Sequence, residues 1–204
     1  MLRQEALLRR ALSERGHLSP QTSIEVDHIS GSAEVDGLRV GLVHPDSYFA
    51  RGRRLWSRRR RYHYFFKGHI SSSGGREKML SAFQNVSNSK IVSSDAGRWK
   101  WLKGNFDWFY FSQLGKSKFG LCPNQADWPG DFFWTYRFVD CLLAGAIPVL
   151  FRLTPLSDDF VAGFFFVWDD SLQSEISETK RIKMAEHNYQ LALSRFRLPE
   201  CPNE

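Results

Sequence analysis

The sequence predicts an α/β domain built on a mostly parallel sheet with helices on both faces. Two observations predict it. From Tyr62 onwards, strand-like and helix-like segments alternate through connections of crossover length. The strand-like runs, among them YHYFF, KFGLC and AIPVLF, are continuously apolar rather than alternating, as strands buried on both faces are.

The elements follow in order. Residues 2–15 place Ala6, Leu7, Ala11 and Leu12 at helical spacing among charges, a short surface helix. GHLSPQTS breaks it, and the next fifteen residues alternate only partially and define no element. Residues 38–44, LRVGLVH, read as a short strand ended by a turn at Pro45-Asp46-Ser47, and the arginine-rich stretch to Arg61 reads as loop or exposed surface. YHYFFKG is then a strand, HISSSGG a loop and REKMLSAFQNV a helix with Met79, Leu80 and Phe83 on one face. SKIVSSD is a second strand. A long aromatic crossover follows, with one short helix ending near Leu114. KFGLCP is the third strand, and Thr135 to Ala144 forms a helix that Gly145 stops. AIPVLF and FFFVWDD are the fourth and fifth strands, and Ser171 to Phe196 reads as one long helix. The division expected is an N-terminal part at 1–61, partial or appended, and an α/β domain at 62–204.

Composition narrows the function. Apolar content of 42%, with 17 Phe and 7 Trp, is enough to build a core. Seven arginines between Arg51 and Arg61 carry more charge than the chain's whole net +6, so basicity is local rather than a general affinity for nucleic acid. The three cysteines form no CxxC pair and the six histidines show no ligand spacing, so neither a disulfide framework nor a metal site is expected. The N-terminal segment is too polar for a signal peptide, and no run approaches the length of a membrane span, so the chain is expected to be soluble. Asn85-Val86-Ser87 is taken as a chance match to the glycosylation pattern.

Ligands of open α/β sheets bind at the carboxyl ends of strands, beside helix N-termini. Two loops have that position. KGHISSSGGR follows the first strand, with Gly68 allowing close backbone approach and His69 and Arg76 able to face an anion. The other, PNQADWPGDFFWTYR, leads into the helix at Thr135. Thr135 is a good N-cap and leaves the amides of Tyr136 and Arg137 at the helix entrance, where they and the dipole favour a phosphate. Arg137 adds a charge-assisted contact, and Asp140, one turn on, is placed to accept hydrogen bonds from ribose hydroxyls. Each feature also has an ordinary reading. Thr135 and Arg137 suit any helix start, Asp140 a first-turn carboxylate, Arg76 a solvated cation and His69 a polar loop residue. Trp128, Trp134 and Tyr136 suit stacking or plain packing.

The ordered set Ser117-Lys118-Phe119, Cys122-Pro123, Thr135, Arg137-Phe138, Asp140, Ala144-Gly145 and Ile147-Pro148-Val149 resembles the C-terminal, donor-binding half of exostosin-like glycosyltransferases of family 47. YFFKGHISSSGGREKML resembles that family's strand, glycine loop and arginine-led helix, so the likeness spans about residues 62 to 170. The resemblance implies a Rossmann-like domain of the GT-B kind, with 62–204 binding a nucleotide sugar. It implies sugar transfer from a nucleoside-diphosphate donor, UDP-linked by expectation, to a hydroxyl or glycan acceptor, without a metal or other cofactor. Gly68, His69, Arg76, Thr135, Tyr136, Arg137 and Asp140 are the donor-binding residues it implies.

The sequence departs from the family pattern in three ways. Asp140 stands where glutamate is more usual, Asn124 replaces an arginine, and the loop before Thr135 is longer and more aromatic than the family's; Asp169-Asp170 lacks the spacing of a metal-binding DxD, in keeping with a metal-independent enzyme. With only 1–61 preceding the matched region, no general base is assignable, and three readings are open: a fragment, a reduced form, or half of an enzyme whose acceptor side a partner chain supplies. The expected setting is the cytoplasm, or the Golgi lumen for a fragment of a eukaryotic enzyme. A non-catalytic nucleotide- or glycan-binding module is the alternative, with nucleic-acid binding through Arg51 to Arg61 a more distant one.

Overall fold

The computed structural model describes residues 3–27, 30–68, 70, 75–93, 106–123, 135–152, 157–170 and 176–198. The N-terminal helix α1 (Arg3–Glu14) leads into an antiparallel meander, β1 (Ile24–Asp27), β2 (Ser32–Val35) and β3 (Leu38–Val40). Helix α2 (Asp46–Arg53) then leads into the main sheet. Its strands are β4 (Tyr62–Gly68), β5 (Lys90–Ser93), β6 (Ser117–Leu121), β7 (Ile147–Leu150) and β8 (Val167–Trp168). Between them lie α3 (Gly75–Gln84), α4 (Trp108–Leu114), α5 (Tyr136–Ala144) and α6 (Asp158–Val161), and α7 (Glu178–Phe196) ends the described fold.

The main sheet is parallel throughout, in the order β5-β4-β6-β7-β8. The chain goes outward from β4 to β5, then crosses back to place β6 on the other side of β4. That reversal is a topological switch point, and it opens a crevice beyond the ends of β4 and β6. Residue alternation on β4 divides the core. Phe65 packs with Tyr110, Leu114, Phe138 and Leu142 on one face, while Tyr64 and Phe66 pack with Met79, Leu80 and Phe83 on the other. Both faces are therefore covered, as the apolar strand runs require.

Helix α5 lies largely in the core, with Phe138 through Ala144 all buried. Thr135 caps its start and Gly145 its end, where a φ of +67° suits glycine. Residues before Tyr62 share this core: Leu7, Leu42, Tyr48, Phe49 and Leu55 belong to the same cluster as Phe65 and Phe138.

Several elements differ from expectation. The strand expected at 38–44 stops at Val40 and belongs to the meander, because Gly41 and Pro45 do not continue a ladder. Pro45 does not open a turn; it stands at the N-cap position of α2, where a missing N–H costs nothing. Part of the arginine-rich stretch is therefore helical, with Tyr48, Phe49 and Gly52 turned inward. The surface helix α1 buries six residues, including Leu7 and Leu8. In the tail the described helix begins at Glu178 under a Ser177 cap, and 171–175 lie outside the described residues. The single-turn α6 is an addition that the sequence did not suggest.

Candidate functional site

The switch-point crevice is bordered by the end of β4, the first turn of α3 and the first turn of α5. Thr135 is buried and extended (φ −147°, ψ 133°), and its Oγ1 accepts a long 3.4 Å bond from the Arg137 amide. The cap fixes where Arg137 leaves the helix. The Arg137 guanidinium lies over the Phe66 ring, 4.8 Å from its centroid, and reaches across Gly68. A β-carbon at position 68 would collide with Arg137 Nη2, so glycine is what admits the guanidinium to the end of the strand.

Arg76, in the first turn of α3, is also buried, at 8% exposure. Burial pushes its pKa down to about 10, and the positive charge of Arg137 pushes in the same direction. Two guanidinium groups thus sit close enough to repel at one strand end. Among the described residues no carboxylate pairs with Arg137, and its buried Nε has no hydrogen-bond partner. An anion in the crevice would relieve both conditions.

The structure therefore brings Gly68, Arg76, Thr135 and Arg137 together. Tyr136 stands beside them, half-buried, with the Arg3 guanidinium over its ring at 4.6 Å. His69, Trp128 and Trp134 lie outside the described residues.

Asp140 requires a correction. It was expected to face a ribose, but its carboxylate is fully buried and points into the protein. Arg3 Nη2 donates to both of its oxygens at 3.0 Å, and His44 Nε2 stands 3.8 Å from Oδ1. Asp140 shares a helix face with Arg137, but α1 and the segment before α2 cover that face at Asp140. Burial acts to raise the Asp140 pKa, but the Arg3 charge and then His44 hold it below the ordinary carboxylate range. For His44 burial lowers the pKa and outweighs Asp140, which acts to raise it. Its ring lies between Tyr48 and Tyr136, at centroid distances of 6.2 and 6.1 Å.

Arg3 and His44 were missed in the sequence. Nothing local marks them, since each meets Asp140 only once α1 and the segment before α2 pack on α5.

A parallel sheet with a glycine-ended inner strand beside its switch point defines a Rossmann-like domain. The Exostosin GT47 domain matches residues 11–183, most of the chain, and the protein belongs to that family of glycosyltransferases. The match begins well before residue 62, where the resemblance of motifs begins, and takes in the meander and the arginine-rich segment. No curated protein matches the chain.

Proposed function

We propose that the protein transfers a sugar from a nucleoside-diphosphate donor to a hydroxyl of a glycan acceptor, with the donor diphosphate in the switch-point crevice. The observation that carries this reading is the convergence of Arg76 and Arg137 on the end of β4 beside Gly68. Negative charge grows on the diphosphate as the glycosidic bond breaks, and preorganised cations there lower the barrier. This reading gives the charge-neutralising role to two guanidinium groups and the amides at the start of α5, rather than to a metal ion. UDP is the donor nucleotide it expects. The general base and the acceptor side remain with groups outside this set, for which a partner chain is the proposed source.

One observation favours a second reading, a nucleotide- or glycan-binding module without transfer activity. Asp140 is occupied by Arg3, so a ribose in the crevice would lack that carboxylate.

Thermal melting against nucleoside diphosphates and UDP-sugars tests the first reading. A ligand at a hundredfold excess over its dissociation constant stabilises by about 2.7 kcal/mol. Stabilisation by UDP together with sugar transfer or donor hydrolysis supports the transferase. Stabilisation with neither activity supports the module, and no stabilisation by any nucleotide refutes both.

A further inference from the structure

The arginine run that the donor site leaves unused builds a second feature, at the opposite ends of the strands. Its members divide by role. Arg53 lies over Trp56 at 4.0 Å and pairs with Glu186 at 2.7 Å. Arg60 turns inward, giving bonds to the carbonyls of Leu114 (3.4 Å), Ser117 (3.0 Å) and Ala144 (3.2 Å). Arg181 of α7 bonds the Gly145 carbonyl at 2.7 Å, and the Trp56 indole the Leu143 carbonyl at 2.9 Å. These groups close the C-terminal end of α5, where cations also complement the dipole.

Beside them opens a cavity of about 540 Å³, lined among the described residues by Arg58, Arg59, Arg60, Lys118 and Arg181 against a single carboxylate, Glu178. That carboxylate is already spent. Arg181 binds it through Nε at 2.9 Å and Nη2 at 2.7 Å. Among the described residues Arg58 bonds a neutral hydroxyl, Ser112 Oγ, at 2.8 Å. Arg60 Nε is buried with no hydrogen-bond partner among the described residues. Burial first, and then the neighbouring Arg181 charge, push the Arg60 pKa down to about 10. Among the described residues the cavity thus carries more positive charge than Glu178 offsets, partly desolvated at Arg60, where an anion gains more than on an open surface.

We propose that this cavity, between the Trp56–Arg60 segment, the start of β6 and the first turns of α7, binds a phosphate group, separately from the donor crevice. Arg59 and Lys118 supply the contacts that carry no structural duty, and Arg58 closes over the same group. The phosphate can arrive free or on a lipid headgroup, and Ile182 at the rim, 48% exposed, is compatible with either. The proposal does not depend on the donor reading, because the two sites lie at opposite ends of the strands.

Titration of the full chain with inorganic phosphate, followed through backbone amide NMR shifts, reads the two ends of the sheet separately. Saturable shifts at Lys118, Glu178 and Arg181 are expected, and their apparent affinity should fall at least about tenfold in Arg59→Ser/Lys118→Ser, as expected when charge-assisted contacts are lost. Both replaced side chains lie outside the core, so the variant should keep the wild-type melting temperature. Flotation with phosphatidylcholine vesicles, with and without phosphatidic acid, identifies the source. Capture that requires phosphatidic acid and is lost in the double variant assigns the lipid, and phosphate shifts without capture assign the free ion. Absence of shifts at these amides together with no phosphatidic-acid-dependent capture, or shifts that persist unchanged in the folded double variant, would overturn the proposal.

Discussion

Arg3 and Asp140 stand 137 positions apart and meet through two 3.0 Å bonds, with the carboxylate wholly out of solvent and the guanidinium about a third exposed. The pair fastens α1 to α5, the helix that opens at the switch-point crevice. Removing the cation leaves a buried, unpaired charge, the costly way to break such a pair. Arg3→Ala should therefore lose about 3 kcal/mol in urea denaturation at neutral pH, at the lower end for a buried pair because Arg3 is partly solvated. Arg3→Met/Asp140→Leu should recover most of that loss. Equal losses in the single and double variants would mean that packing rather than charge dominates.

His44 gives the fold a pH dependence. Its folded pKa is depressed by burial, so between the unfolded value of about 6.5 and the lower folded value the unfolded chain binds more protons. Stability should be full above about pH 7 and decline as pH falls through that window. Asp140, also depressed, adds a separate loss only at stronger acid, when its carboxylate is protonated. Melting temperatures across this range should slope for the wild type, and the slope between about pH 7 and pH 5 should flatten in His44→Leu. An unchanged slope in that variant would assign the effect to other groups.

Much of the main sheet was legible in residue order because its signals are local. The Thr135 cap, the Gly145 stop and the apolar run of AIPVLF lie within a few residues of the elements they define. Helix α2 was less legible because Pro45 and the density of arginines suit a turn and a loop as well as a helix start. Its inward face of Tyr48, Phe49 and Gly52 has meaning only against α5, where a β-carbon at Gly52 would sit 2.7 Å from the Leu143 carbonyl oxygen. The role of Asp140 was misread for a related reason. Position on a helix says which residues share a face, but not which distant segment covers that face.

Gly68 separates the strand-end geometry from general stability. In Gly68→Ala the new methyl meets the mobile end of the Arg137 side chain and the Phe66 ring. The fold should adjust at a cost of about 1 kcal/mol, within the usual range for a single substitution. UDP affinity should drop about tenfold, because the guanidinium is displaced from the strand end. Melting and calorimetry on the same sample check both halves. A folded variant with full affinity would remove Gly68 from the site.

Arg60 is predicted to matter for folding more than for any ligand. Arg60→Met removes bonds to the carbonyls of Leu114, Ser117 and Ala144 and leaves them short of donors. A loss of about 2 kcal/mol in urea denaturation is expected for charged hydrogen bonds of this kind. UDP affinity should stay at the wild-type level, since this end of α5 is remote from Arg137.

The measurement closest to the central claim is UDP binding by calorimetry in Arg137→Ala, with circular dichroism and melting to establish that the variant is folded. The account predicts an affinity at least about tenfold weaker, or about 1.4 kcal/mol. Unchanged UDP binding by the folded variant would contradict it.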